Sequence, residues 1–163
     1  MSVPERYAPP KQLSRRDQHT QLRMLASSRR AYKQHRYVTR KRLPSFRNRP
    51  SKHITNARKM YHLKDIVPSA ALARATGCSK TALQQIVKKG EGAYYSSGSR
   101  PNQTAQSWGL ARLASAITSG KAAAVDFDIL EKGCHPTKKA FVLAQKAKAN
   151  QHTWRKTRKI KSV

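Results

Sequence analysis

Residues 72–87 read LARATGCSKTALQQIV: two runs of helix-forming residues hinged on Thr76-Gly77-Cys78-Ser79. Gly77 closes the first run, and Ser79 offers its hydroxyl as cap to the second, KTALQQIVKK, which stops at Gly90. Ala73 is small where two such helices would cross, and Leu83 with Ile86 or Val87 supplies the buried aliphatics. Ser79, Lys80, Thr81, Gln84, Gln85 and Lys88 then fall on the outward side.

Outward from this pair the chain stays helical. On the N-terminal side, Pro68 suits a first helical turn ahead of SAALARAT. Further back, Ser51 opens a short helix over Lys52 to Tyr61, with Ile54, Ala57, Arg58 and Tyr61 at helical spacing. Ser14 and Asp17 form a capping box before a helix from Arg15 to Lys33, whose thin apolar stripe is Leu22, Leu25, Ala26 and Tyr32. On the C-terminal side, Thr104 caps AQSWGLARLASAIT, which closes at Ser119-Gly120. KAAAVDFDILEK then runs to Gly133, and PTKKAFVLAQKAKA leads into the tail. Only Tyr94-Tyr95 and residues 36–46 have strand character. The expected fold class is all-α, with a small helical core of Leu72, Leu83, Ile86, Val87, Trp108, Leu110, Leu113, Ile117, Val125, Phe127, Ile129 and Leu130.

Charge divides the 163 residues into three. Residues 1–64 carry 18 basic and 2 acidic groups, residues 65–135 carry 8 and 5, and residues 136–163 carry 9 and none. This predicts a basic N-terminal arm holding one or two helices, a nearly balanced helical core, and a basic C-terminal helix and tail. A formal charge of +28 calls for a counter-charged partner, nucleic acid first and acidic protein surfaces second. No amphipathic arm has the bulky apolar face that enters lipid, no apolar run approaches the length of a membrane span, and MSVPERYAPP lacks a signal peptide's apolar centre. The expectation is a soluble intracellular or virion protein with no membrane insertion.

The exposed set after Gly77 has a chemical reading. Glutamines suit adenine edges, while hydroxyls and lysines suit phosphates. Position by position, residues 72–87 resemble the helix–turn–helix of bacterial repressors, which implies possible DNA contact by Ser79, Lys80, Thr81, Gln84, Gln85 and Lys88. Two short helices packed for stability alone need the same small residue, glycine and cap. The motif also sits in the least basic third of the chain, which counts against a conventional repressor.

Over a longer span, RYAPPKQLSRRD, SRRAYKQHRYVTRK, SFRNRPSKHITNARKMY and residues 77–134 resemble an uncharacterised family of small basic proteins of large double-stranded DNA viruses of algae and amoebae, with relatives in some phages. The resemblance covers residues 6–134 and is strongest in KGEGAYYSSGSRPNQTAQSW. It supplies a setting and no mechanism. Within it the expected function is a non-enzymatic minor capsid protein on the inner face of the shell, cementing larger capsid subunits. The alternative is a DNA-binding protein, for packaging or regulation, in the virion core or with DNA in the infected cell. The first arm interleaves aromatics with arginines, unlike histone-like tails, so Tyr32, Tyr37, Arg40, Arg42, Phe46, Arg47 and Arg49 are candidate anchors on neighbouring subunits. Aromatics also stack on bases.

Residues 92–104, GAYYSSGSRPNQT, hold one charged side chain, Arg100. Glycines permit tight turns, and serines and amides supply short-range hydrogen bonds. One reading is a rigid partner-contact loop of Tyr94, Tyr95, Ser96, Ser97, Arg100, Asn102 and Gln103 walled by Trp108, with Arg100 clamping a carboxylate or phosphate. The other is an internal loop that joins two helical halves.

Nothing points to catalysis. There is no GxSxG, Ser115 stands where a phosphate loop before Lys121 needs glycine, and Asp126 and Asp128 are two apart, so Asp126 reads as a cap or turn. Cys78 and Cys134 lack metal-ligand spacing and read as buried structural thiols; no cofactor or metal is expected.

Overall fold

A computed structural model of the chain describes residues 2–161. It is mostly helical, with eight α-helices and one two-stranded sheet among the described residues. The all-α expectation is corrected at the termini. There β1 (Ser2–Pro4) pairs antiparallel with β2 (Lys159–Lys161), placing Val3 opposite Ile160. Tyr94-Tyr95 is helical, and residues 36–46 are extended without joining a sheet.

The chain forms two compact units, which do not follow the charge boundaries at 64 and 135. One gathers residues 2–49, 91–108 and 155–161; the other holds 50–90 and 109–154. Two helices contribute to both: α4 (Lys80–Ser96) and α5 (Ala105–Ala116).

In the first unit a 3-10 turn (Glu5–Tyr7) leads to α1 (Arg15–Lys33). Ser14 Oγ accepts the Asp17 N–H at 3.1 Å, as the capping box requires. The reciprocal bond is missing, because Ser45 takes both partners. Its Oγ accepts the Ser14 N–H at 3.1 Å, while its own N–H and hydroxyl donate to Asp17. Leu22 and Leu25 of α1 pack with Val3, Tyr7, Leu13 and Leu43; Tyr32, expected on that stripe, is exposed.

The second unit begins with α2 (Lys52–Tyr61), capped by Ser51, and α3 (Ala70–Thr76), capped by Ser69. Pro68 lies ahead of α3 instead of in its first turn. Then come the first half of α4, most of α5, α6 (Lys121–Val125), α7 (Phe127–Gly133) and α8 (Lys139–Asn150). The expected continuous helix over 121–132 is broken at Asp126. The core contains Leu72, Leu83, Ile86, Val87, Leu113, Ile117 and Leu130 as anticipated. Leu110, Phe127 and Ile129 are half-buried against it, whereas Trp108 belongs to the other unit and Val125 is 66% exposed. Tyr61 is buried, donates to the Ile117 carbonyl at 2.5 Å, and has its phenol pKa raised by that burial.

Two further expectations fail. The second helix of the opening pair does not stop at Gly90 but runs on to Ser96. Gly90 is needed for close approach: a Cβ there would lie 2.5 Å from the Gly109 Cα of α5. The cysteines are not free thiols. Cys78 and Cys134 form a disulfide across an antiparallel bridge flanked by Ser79 N–H to Gly133 C=O at 2.7 Å and His135 N–H to Gly77 C=O at 2.8 Å.

Candidate nucleic-acid interface

In the second unit, the turn between α3 and α4 is built as the sequence suggests. Gly77 takes the left-handed conformation at φ 75°, and its N–H donates to the Ala73 carbonyl, closing α3. Ser79 Oγ accepts the Ala82 N–H at 3.1 Å, so this hydroxyl serves as a cap. All six residues singled out for DNA contact are exposed.

At about 100° per residue, Lys80, Thr81, Gln84, Gln85 and Lys88 span a sector of roughly 140° on α4. Ala82, Leu83, Ile86 and Val87 occupy the opposite side and are buried. The first two and a half turns of α4 therefore present two lysines, two amides and a hydroxyl, with no acid before Glu91. Lys89, at the edge of the sector, lies 3.8 Å from Asp126.

Asp126 is the electrostatic centre of this unit. Its buried carboxylate receives two bonds from Arg112, at 2.7 Å from Nε and 2.8 Å from Nη2. Arg112 and Lys89 thus both pair with this one carboxylate. Asp126, read as a cap or turn, sits in the turn between α6 and α7; its carboxylate makes no capping bond and clasps α5 to that junction. Among the described residues, no three His, Cys, Asp or Glu side chains are grouped to hold a metal.

In the first unit, the stretch 92–104 is divided between the end of α4 and a loop. Arg29 donates twice to the Ser97 carbonyl, at 2.9 and 2.7 Å, which closes α4 with a cation. Gly98 is buried at φ 118°, where a Cβ would meet Leu25. Tyr94 is fully buried; Tyr95 packs edge-to-face on it and on Tyr37. Asn102, itself left-handed, accepts the Leu43 N–H at 2.7 Å and donates to the carbonyls of Leu43 and Phe46. Gln103 accepts from Ser107 Oγ at 2.7 Å, and Trp108 meets Tyr7 edge-to-face at 5.8 Å. The polar groups of Ser99, Asn102 and Gln103 thus bond within the unit, while Ser96, Ser97 and Arg100 are exposed.

The arm residues separate the same way. Arg40 is buried beside Tyr94, and Phe46 is half-buried on Leu43 and its neighbours. Arg42, Arg47 and Arg49 are exposed, and Tyr37 is 65% and Tyr32 36% exposed. The bonds of Arg40 to Ser28, Tyr94 and Ser99, the Asn102 clasp and the Arg112–Asp126 pair are not anticipated. Each joins residues at least twelve apart in sequence, beyond any local pattern.

A family model described as a family of unknown function, DUF5824, matches residues 4–133, and the chain belongs to that family. Comparison with curated proteins and with solved structures finds no match.

Proposed function

We propose that this chain is a non-enzymatic nucleic-acid-binding protein that holds duplex DNA through the exposed face of α4. The observation that carries this reading is the segregation on α4: Lys80, Thr81, Gln84, Gln85 and Lys88 outward, Ala82, Leu83, Ile86 and Val87 inward, directly after a left-handed glycine turn. Amides read adenine edges and lysines hold phosphates, so the face suits a major groove. The excess of 35 basic over 7 acidic residues would supply a large salt-dependent term common to any duplex.

The test is binding of short duplexes followed by anisotropy across a salt series. Lys80→Ala and Lys88→Ala should each weaken binding to all sequences and flatten the salt slope by about one unit. Gln84→Ala and Gln85→Ala should instead relax base preference. If all four variants bind as wild type does, α4 is not the interface.

A second reading, a minor capsid protein cementing larger subunits inside the shell of a large double-stranded DNA virus, draws on a different observation. Tyr32 and Tyr37 pack edge-to-face while both are exposed, in an arginine-rich stretch that also exposes Val38, the composition favoured at protein interfaces. Retention of the chain at fixed stoichiometry in washed, genome-free shells would support it, and release with the genome would reject it.

A further inference from the structure

We infer that Arg6, Arg100 and Arg158 form a binding site for a doubly charged phosphate group. They line one open surface groove of about 280 Å³ in the first unit, together with Glu5, Gln12 and Thr157, and each arginine is itself exposed. The three arginines reach it from separate parts of the sequence. The β1–β2 ladder extends one step further through the Glu5 N–H, which donates to the Arg158 carbonyl at 2.8 Å, and so sets Arg158 beside the turn that carries Arg6. Arg100 is held from the other side. It precedes the buried Pro101, and its carbonyl accepts from Ser99 Oγ at 2.8 Å, a hydroxyl that itself accepts from Arg40.

Charge identifies the ligand. Glu5 is the one acid in the lining and forms no ion pair within 4 Å with any of the three arginines, leaving a formal charge of about +2. Partial desolvation, with the like charge of Arg6 beside it, makes the Arg100 guanidinium easier to deprotonate than an ordinary arginine. Cations gathered without a counter-ion favour an anion that enters between them. Guanidinium forks match phosphate oxygens bidentately, and Gln12 and Thr157 add polar groups at the rim. A phosphomonoester carries about −1.5 to −2 at neutral pH, closer to the lining charge than the single charge of a backbone diester. The site therefore suits a terminal phosphate, either at the 5′ end of a strand or on a free nucleotide. It lies outside α4 and does not depend on the α4 reading.

The experiment is a phosphorus NMR titration of the full chain with inorganic phosphate and a nucleoside 5′-monophosphate, beside anisotropy with 5′-phosphorylated and 5′-hydroxyl single strands. Arg100→Ala and Arg158→Ala should each weaken phosphate binding roughly tenfold or more, the loss of one charge-assisted contact. Arg100→Lys, which keeps the charge and loses the fork, should lose most of the binding too. The exposed pair Arg23→Ala/Arg30→Ala on α1 removes more charge outside this lining and should change it less than about twofold. Tighter binding of the phosphorylated strand identifies a strand end as the ligand, and equal binding of both strands with saturable nucleotide binding identifies the free nucleotide. If the Arg23/Arg30 variant loses as much as Arg100→Ala, or phosphate shifts do not saturate with wild type, there is no site. The inorganic-phosphate titration, which no α4 residue enters, is read beside duplex binding, and loss of one without the other separates failure here from failure at α4.

Discussion

The Arg40 guanidinium lies 3.8 Å from the centroid of the Tyr94 ring and also donates to the Tyr94 carbonyl at 3.0 Å. The Arg40 N–H completes the clasp by donating to Tyr94 Oη at 2.9 Å. Ser28 and Ser99 hydroxyls accept the remaining bonds at 2.9 Å each, and no carboxylate takes part. A buried cation is tolerated here because neutral oxygens and a ring face replace its hydration. One side chain thus fastens the extended segment 36–49 to α1, to the end of α4 and to the loop after it.

Arg40→Ala should therefore destabilise the first unit by about 2–4 kcal/mol, since two hydroxyls and a carbonyl lose their partner and a desolvated cation–π contact is lost. Arg40→Lys should recover less than half of that, because an ammonium cannot span all three oxygens. Urea denaturation measures both. A loss below about 1 kcal/mol for the alanine variant would show that the cage is not a fastening.

Gly90 and Gly92 make a paired prediction. A Cβ at Gly90 collides with the Gly109 backbone, so Gly90→Ala should cost about 1–3 kcal/mol through overpacking. Nothing lies within 4 Å of a Cβ at Gly92, so Gly92→Ala should stabilise the helix by up to about 1 kcal/mol. Thermal melts of the two variants should move in opposite directions, and shifts of the same sign contradict the close crossing of α4 and α5.

The sequence shows a glycine at 90 but not why it is there. Read locally, glycine ends a helix; in the fold it lets a second backbone approach, and the helix runs through. The same limit hid the disulfide, because a separation of 56 residues has no local signature. What is encoded within a few residues was legible: the Ser14, Ser51 and Ser79 caps, the left-handed Gly77, and the alternation of buried and exposed positions along α4. The arm was the hardest to read. Arginine and aromatic side chains look alike in sequence whether they reach a partner or fold back, as Arg40 does onto Tyr94.

Reduction of Cys78–Cys134, or Cys78→Ser with Cys134→Ser, should lower stability by about 2–4 kcal/mol through the entropy of a loop of this length. Calorimetry with and without reductant reads this directly. Melting temperatures that coincide would mean that the cross-link contributes nothing.

Asp17 should titrate low. The hydroxyl and then the N–H of Ser45 donate to its carboxylate and hold its pKa below the ordinary 3.8. A folded value below the unfolded one gives a contribution that is present at neutral pH and lost as pH falls through the folded pKa. NMR titration of Asp17 should show the depression, and Ser45→Ala should abolish most of it. An unchanged value in that variant would rule out Ser45 as its source.

The claim on which the functional reading turns is that α4 lies against nucleic acid. We would place a photo-cross-linking residue at Gln84, and separately at the exposed Val125 of the same unit, and irradiate each with duplex DNA at about 150 mM salt, where remote charges are screened. The account predicts strong cross-linking from position 84 and little from position 125. Equal yields, or cross-linking from position 125 alone, would contradict it.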